Sequence, residues 1–118
     1  MVDTTERRIR DYPAFWRYYL REHARPLTRT IHLTGTGLSL SALGALILTG
    51  EPWFFLLALV AGYGPAWIAH FFIEKNRPAT FSYPFWSLIS DFRMAWFWAT
   101  GRLTQELNRA GIPAAPRR

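Results

Sequence analysis

Residues 30–73 read TIHLTGTGLSLSALGALILTGEPWFFLLALVAGYGPAWIAHFFI, and this stretch decides the fold. From Ile31 to Ile73 its one formal charge is Glu51. Gly50-Glu51-Pro52 divides it into two apolar segments, 30–49 and 53–73. Each is about 20 residues, and a helix of that length, rising ~1.5 Å per residue, crosses a ~30 Å hydrocarbon core. A turn of two or three residues forces the two segments antiparallel. The expectation is an integral membrane helical hairpin. Gly35, Gly37 and Gly44, with Ser39, Ser41 and Ala42 among them, permit close helix contact in lipid. Gly62-Tyr63-Gly64-Pro65 interrupts the second segment, where Pro65 removes a backbone donor and is expected to kink the helix.

Outside this stretch the charges crowd together, a segregation that a mean hydropathy of −0.02 conceals. The net charge is +6, carried by thirteen Arg and one Lys. These basic residues flank apolar spans rather than forming a stripe on a polar fold. That points to anionic membrane lipid as the partner and away from nucleic acid. Seven Arg precede residue 30, Lys75 and Arg77 follow the second span, and the turn at Glu51 has neither. The positive-inside rule then predicts a multi-pass protein with both termini cytoplasmic, in the inner membrane if the source is bacterial. There is no cysteine, which excludes disulfides, iron–sulfur clusters and thiolate catalysis.

Residues 3–22 read as an N-terminal amphipathic helix, capped by Thr4 or Thr5. Tyr12, Phe15, Trp16, Tyr19 and Leu20 lie on one side and Arg7, Arg10, Arg17 and Arg21 on the other. Such a helix lies either in the membrane interface or on the protein's own body. Residues 25–29, Arg-Pro-Leu-Thr-Arg, read as a break. A third apolar stretch, 81–100, holds Pro84 and the Asp91/Arg93 pair, and reads as a C-terminal interfacial or re-entrant helix. The whole is expected to be all-α: one membrane-embedded domain over 1–109 and a disordered tail over 110–118. Nothing in the sequence sets an oligomeric state.

The hairpin carries a geometric consequence. From His32 to the turn is about 18 residues, and from the turn to His70 about 18 again, so both lie about 27 Å from the turn at one depth. His23 lies just outside that level, so all three histidines of the chain can converge. Glu74, four residues after His70, shares its helix face, and Asn76 follows. Three neutral imidazoles with a nearby carboxylate suit Fe(II) or another first-row metal. Tyr19, Glu22, Asp91 or Thr34 can supply partners for the second imidazole nitrogens. Asp91 reads equally as the partner of a local arginine. Arg25 and Arg29 read either as carboxylate-binding groups or as interfacial anchors.

Two signatures make the chain recognisable. The first is Phe15-Trp16-Arg17-Tyr18-Tyr19-Leu20-Arg21-Glu22-His23, continuing through Arg29 and His32 to Gly35. The second runs from Gly62-Tyr63-Gly64-Pro65 through Ala66-Trp67, His70 and Glu74 to Pro78. Together they resemble a family of small membrane proteins, first catalogued as a domain of unknown function, that includes the fungal 2-hydroxy fatty acid dioxygenase of phytosphingosine breakdown. The resemblance covers roughly residues 12–100. It implies an Fe(II)-dependent oxygenase that takes O₂ and a fatty-acyl substrate, and shortens a 2-hydroxy fatty acid by one carbon. It carries His23, His32 and His70 over as metal ligands and Glu74 as a ligand or base. Tyr19 then joins Glu74 as a catalytic candidate, and Arg25, Arg29 and Asn76 are the substrate-binding candidates. The chain is shorter than the fungal enzymes and has fewer apolar spans. Two other functions fit the same residues: a membrane haem protein with His32 and His70 as axial ligands, and a metal-free lipid-interaction protein.

Overall fold

A computed structural model describes residues 8–113, which are all-helical, with no strand among them. The elements are α1 (Tyr12–Arg21), α2 (Pro26–Thr49), α3 (Trp53–Ile68), α4 (Pro84–Ala99) and α5 (Leu103–Arg109). A π-helical turn, Ala69–Glu74, extends α3, and a short 3₁₀ turn, Ala79–Phe81, precedes α4.

The expected hairpin forms the body of the molecule. Pro26 sits in the first turn of α2, where its missing N–H costs nothing and its fixed φ favours the helix. Gly50 ends that helix in the left-handed region at φ 72°, returning its N–H to the Leu46 carbonyl at 2.7 Å. The helix Pro26–Thr49 and the continuous helical run Trp53–Glu74 are each long and apolar enough to cross a membrane. Only 22% of the apolar window in either is buried, and Ile47 and Leu48 are 83% and 87% exposed. The core helix of a water-soluble protein hides such side chains; outward-facing ones suit a hydrocarbon surround.

The two spans touch most closely at Gly35. A Cβ there would stand 2.6 Å from the Ala61 carbonyl oxygen and 3.2 Å from the Pro65 ring. Pro65 supplies no N–H to that carbonyl, the one four residues before it. The bare α2 backbone at Gly35 covers the oxygen that the proline leaves over. Higher in the hairpin, Ser39 Oγ donates to the Ala58 carbonyl at 2.8 Å.

At the other end of the spans lies a small aromatic core. Phe15, Trp16, Tyr19 and Leu20 of α1 pack with Met94, Leu103, Leu107 and Ile112. Trp16 Nε1 donates to Glu106 Oε1 at 2.9 Å, and the Arg93 guanidinium lies 4.6 Å from the Trp16 ring centroid. The apolar side of α1 is thus turned onto the protein's own body, while Arg10, Arg17 and Arg21 are exposed. The helix is shorter than the pattern over 3–22 suggests. Residues 8–10 are not helical, and Asp11 caps α1 by accepting from the Ala14 N–H at 2.8 Å. Thr4 and Thr5 lie outside the described residues. Pro13 falls in the first turn, so it starts α1 rather than dividing it.

Two other boundaries shift. The break expected at 25–29 closes after Arg25, because Pro26 begins α2 instead of interrupting it. Ile112, just past α5, is buried against the core, so of the tail expected over 110–118 only 114–118 falls outside the described residues. The third apolar stretch becomes α4, 16 residues and so about 24 Å long, too short to cross a bilayer directly. It lies along α1 and α2 with Ser87, Ser90 and Met94 inward and Phe85, Ile89 and Trp96 exposed.

Candidate metal centre

Three elements each deliver one histidine to the same place. His23 follows the end of α1, His32 lies in α2, and His70 sits in the π-helical turn. All three are buried, at 1%, 4% and 3% exposure. One ring nitrogen of each lies within 4.8 Å of the others. The equal-length hairpin therefore brings His32 and His70 to a common level, and the Glu22–Arg25 bend carries His23 onto it.

The hydrogen bonds fix which nitrogen each ring presents. His23 Nδ1 is 2.7 Å from the Tyr19 carbonyl oxygen, which can only accept, so the proton is on Nδ1. His70 Nδ1 is 2.8 Å from Asn76 Oδ1. The Asn76 amide is oriented by its own N–H₂, which donates to the Glu22 carbonyl at 3.2 Å, so His70 is also protonated on Nδ1. His32 Nε2 lies 3.2 Å from Asp91 Oδ1, at ion-pair distance from that carboxylate. Its other nitrogen, Nδ1, is buried with no hydrogen-bond partner. His23 and His70 thus each have one N–H tied to an oxygen and Nε2 free of any oxygen partner, and His32 has Nε2 beside a carboxylate and a bare Nδ1, an arrangement of the kind by which proteins orient metal-binding histidines.

The free nitrogens of His23 and His70 face each other. Nε2 of His23 and Nε2 of His70 are 3.1 Å apart. Two lone pairs at that separation repel unless a cation lies between them. Two imidazoles bound to one divalent ion at ~2.1 Å place their nitrogens ~3.0 Å apart in octahedral and ~3.4 Å in tetrahedral geometry. The space among the rings is about 10 Å³, room for one ion or one water. A porphyrin does not fit there, which removes the haem arrangement with His32 and His70 as axial ligands.

The electrostatics favour a neutral His23. Burial pushes the His23 imidazole well below its usual range, and the neighbouring His32 and His70 push the same way. Burial also holds the Tyr19 phenol well above its usual range, as does Asp91. Tyr19 therefore stays protonated and donates to Asp91 Oδ1 at 2.6 Å. That oxygen is shared between Tyr19 and His32.

The other sequence candidates divide. Asp91 is not the partner of a local arginine: it serves His32 and Tyr19, while Arg93 stacks over aromatic rings. Tyr19 supports His23 through its backbone carbonyl and Asp91 through its hydroxyl. Thr34 bonds the Thr30 carbonyl and serves no histidine. Glu74 Oε2 accepts the Arg25 N–H at 2.6 Å, tying the start of α2 to the end of the second span, and it is not part of the three-histidine cluster. Arg25 is exposed. Arg29 is buried and donates to the carbonyls of His23 and Ala24 at 2.8 and 2.9 Å, clamping the bend that carries His23. Asn76 is engaged on both sides by His70 and Glu22. The sequence reading gave Asn76 to substrate; the left-handed Lys75 at φ 64° turns the chain so that Asn76 reaches back to His70 instead.

The family described as 2-hydroxy-palmitic acid dioxygenase Mpo1-like matches residues 9–103. That span holds all three histidines and every residue of the aromatic core except Leu107 and Ile112. Curated proteins and solved structures give no match.

Proposed function

The chain belongs to the Mpo1-like family, and from that premise we propose that it is a membrane-embedded dioxygenase of 2-hydroxy fatty acids that uses Fe(II) held by His23, His32 and His70. The observation that carries this reading is the donor set: three buried imidazoles with a ring nitrogen of each within 4.8 Å of the others, two of them with an N–H fixed on an oxygen and the third beside the Asp91 carboxylate. Neutral nitrogen donors without thiolate suit a borderline ion such as Fe(II), and three protein ligands leave open positions for substrate and O₂. Bound there, the iron supplies the activation of O₂ that carbon chemistry lacks. The overall reaction balances with one O₂: the hydroxyl-bearing carbon becomes the new carboxyl, the old carboxyl carbon leaves as CO₂, and one water forms.

The chain's own groups have separable tasks. The Tyr19 carbonyl, Asp91 and Asn76 hold the three rings in their tautomers. The Tyr19 hydroxyl keeps its proton and donates to Asp91 at the edge of the site, which makes Tyr19 the proton-holding group of this reading. Arg25, exposed next to Glu74, offers a cation to the incoming carboxylate at the membrane face before the substrate reaches the histidines. Arg29 and Glu74 fix the bend and the start of α2, so both act on position rather than on substrate. Outward apolar spans suit a membrane, and the arginines that flank them favour the cytoplasmic face for the site.

The test is an anaerobic Fe(II) titration of the detergent-purified protein, followed by O₂ and mass spectrometry of a 2-hydroxy acyl substrate. One iron per chain, a fatty acid one carbon shorter and loss of both in His70→Ala are expected. Unchanged substrate in iron-replete protein removes the catalytic claim. A chain that binds no iron, and whose His70→Ala form keeps its function, is a metal-free lipid-interaction protein.

A further inference from the structure

Beside the histidines, on the lipid side, runs a second space that the reaction chemistry does not by itself explain. It is a groove of about 360 Å³ between α2, α3 and α4. Tyr63 and Asp91 line both the groove and the histidine site, so the two adjoin across these side chains. Thr36, one helical turn beyond His32, stands at the same junction. Away from that end the walls are apolar: Leu43, Phe55, Leu59, Leu88 and Phe92. The one other hydroxyl on the wall, that of Ser39, is occupied by the Ala58 carbonyl.

We propose that this groove holds the acyl chain of the substrate, with the carboxyl-bearing end at Asp91, Tyr63 and the imidazoles and the chain running along α3 toward the Gly50 turn. The proposal rests on the functional reading above and adds the place and reach of the substrate. From Tyr63 to Phe55 a helix advances about 12 Å. An extended chain of C–C bonds of ~1.52 Å advances ~1.25 Å per carbon, so the groove covers about ten carbons. A 2-hydroxy acid of palmitic length therefore leaves its last carbons in the bilayer. The groove also has the polarity of a fatty acid resting in one leaflet, with polar groups near the end of the spans and apolar ones toward mid-membrane. Phe55, Leu59, Leu88 and Phe92 are partly exposed, so the groove opens sideways and a chain slides in without leaving the hydrocarbon.

Because bilayer and groove are equally apolar, overall affinity says little about the groove; location does. The probe is 2-hydroxyhexadecanoic acid carrying a diazirine at carbon 8, added anaerobically to the iron-loaded protein in lipid nanodiscs, irradiated, and mapped by mass spectrometry. Adducts are expected on the segments 55–63 and 88–92, reduced at least tenfold by excess unlabelled 2-hydroxyhexadecanoic acid. Leu59→Trp, which fills the groove, cuts them at least tenfold; Leu56→Trp, on the lipid face outside it, does not. Leu88→Trp serves as a second groove-filling variant, and metal affinity equal to wild type shows that each variant is folded. Uncompeted adducts scattered over lipid-facing residues such as Ile47 and Leu48 overturn the groove assignment. Admitting O₂ to a parallel sample separates the two readings. Product with scattered adducts sinks the groove and spares the reaction. Saturable groove labelling without product upholds the groove as an acyl site and sinks the reaction.

Discussion

Replacing Gly35 by Ala tests whether the hairpin's closest approach positions the metal centre. The added Cβ meets the Ala61 carbonyl oxygen at 2.6 Å, where ordinary contact begins at 3.4 Å. The obstacle is backbone, with the Pro65 ring at 3.2 and 3.3 Å behind it, so no flexible side chain can yield. The spans must separate by most of the roughly 0.8 Å shortfall, and overpacking of this kind costs about 1–3 kcal/mol. Ala in place of a helical Gly also returns about 1 kcal/mol of propensity. Gly37→Ala is the control, since its Cβ meets nothing within 4 Å and it gains the same propensity. The difference between the two variants is then about 1–3 kcal/mol, with propensity cancelled. His32 lies less than one turn from Gly35, so the same displacement moves it away from His70. The assay is reversible unfolding in mixed micelles followed by circular dichroism, together with Co(II) titration as a coloured stand-in for iron. Gly35→Ala should be the less stable and bind Co(II) at least tenfold more weakly than Gly37→Ala. Equal stability and equal affinity in the pair would refute the claim that this contact sets the spacing of the histidines.

Further outcomes follow from the groups around the rings. Asn76→Ala removes the acceptor of the His70 N–H and should weaken metal binding about 10–100-fold with little loss of helix, read by the same titration. Asp91→Leu removes the carboxylate beside His32 and should weaken metal binding by a similar factor; retained affinity would show that His32 needs no orienting carboxylate. Removal of metal by a chelator should abolish product formation, and Fe(II) should restore it where Mg(II), which prefers oxygen donors, does not. Trp16→Phe deletes the N–H that meets Glu106 and should cost about 1 kcal/mol or more of stability, seen as a lower melting temperature with the iron stoichiometry unchanged.

The hairpin was legible because its cues are local and strong: an uncharged run, one Gly-Glu-Pro turn, and halves of equal length. Equal length is also why His32 and His70 could be placed at one depth before any coordinates. His23 joined them through chain continuity across a short bend. The role of Asp91 was not legible, since its partners Tyr19 and His32 are distant in sequence while Arg93, two residues away, suggests a local pair. Only tertiary packing shows that Arg93 is taken by aromatic faces. Nor could the role of Asn76 be read, because it depends on a left-handed residue at Lys75, an ordinary lysine by sequence. The start of α1 was misplaced because Thr4 and Thr5 look as good a cap as Asp11, and Pro13 looks like an interruption when it is a beginning.

The π-helical turn after α3 has a consequence for evolution as well as for shape. The widened turn sets a spacing of six residues between His70 and Asn76, whose backbone N–H closes on the His70 carbonyl at 2.9 Å while its side chain meets the His70 ring. Delete one residue between His70 and Glu74 and the turn closes to an α-helical one, so that Asn76 can no longer make both contacts with His70. The segment should therefore tolerate many exchanges of side chain but almost no change of length, and one lost codon there should do more harm than most substitutions.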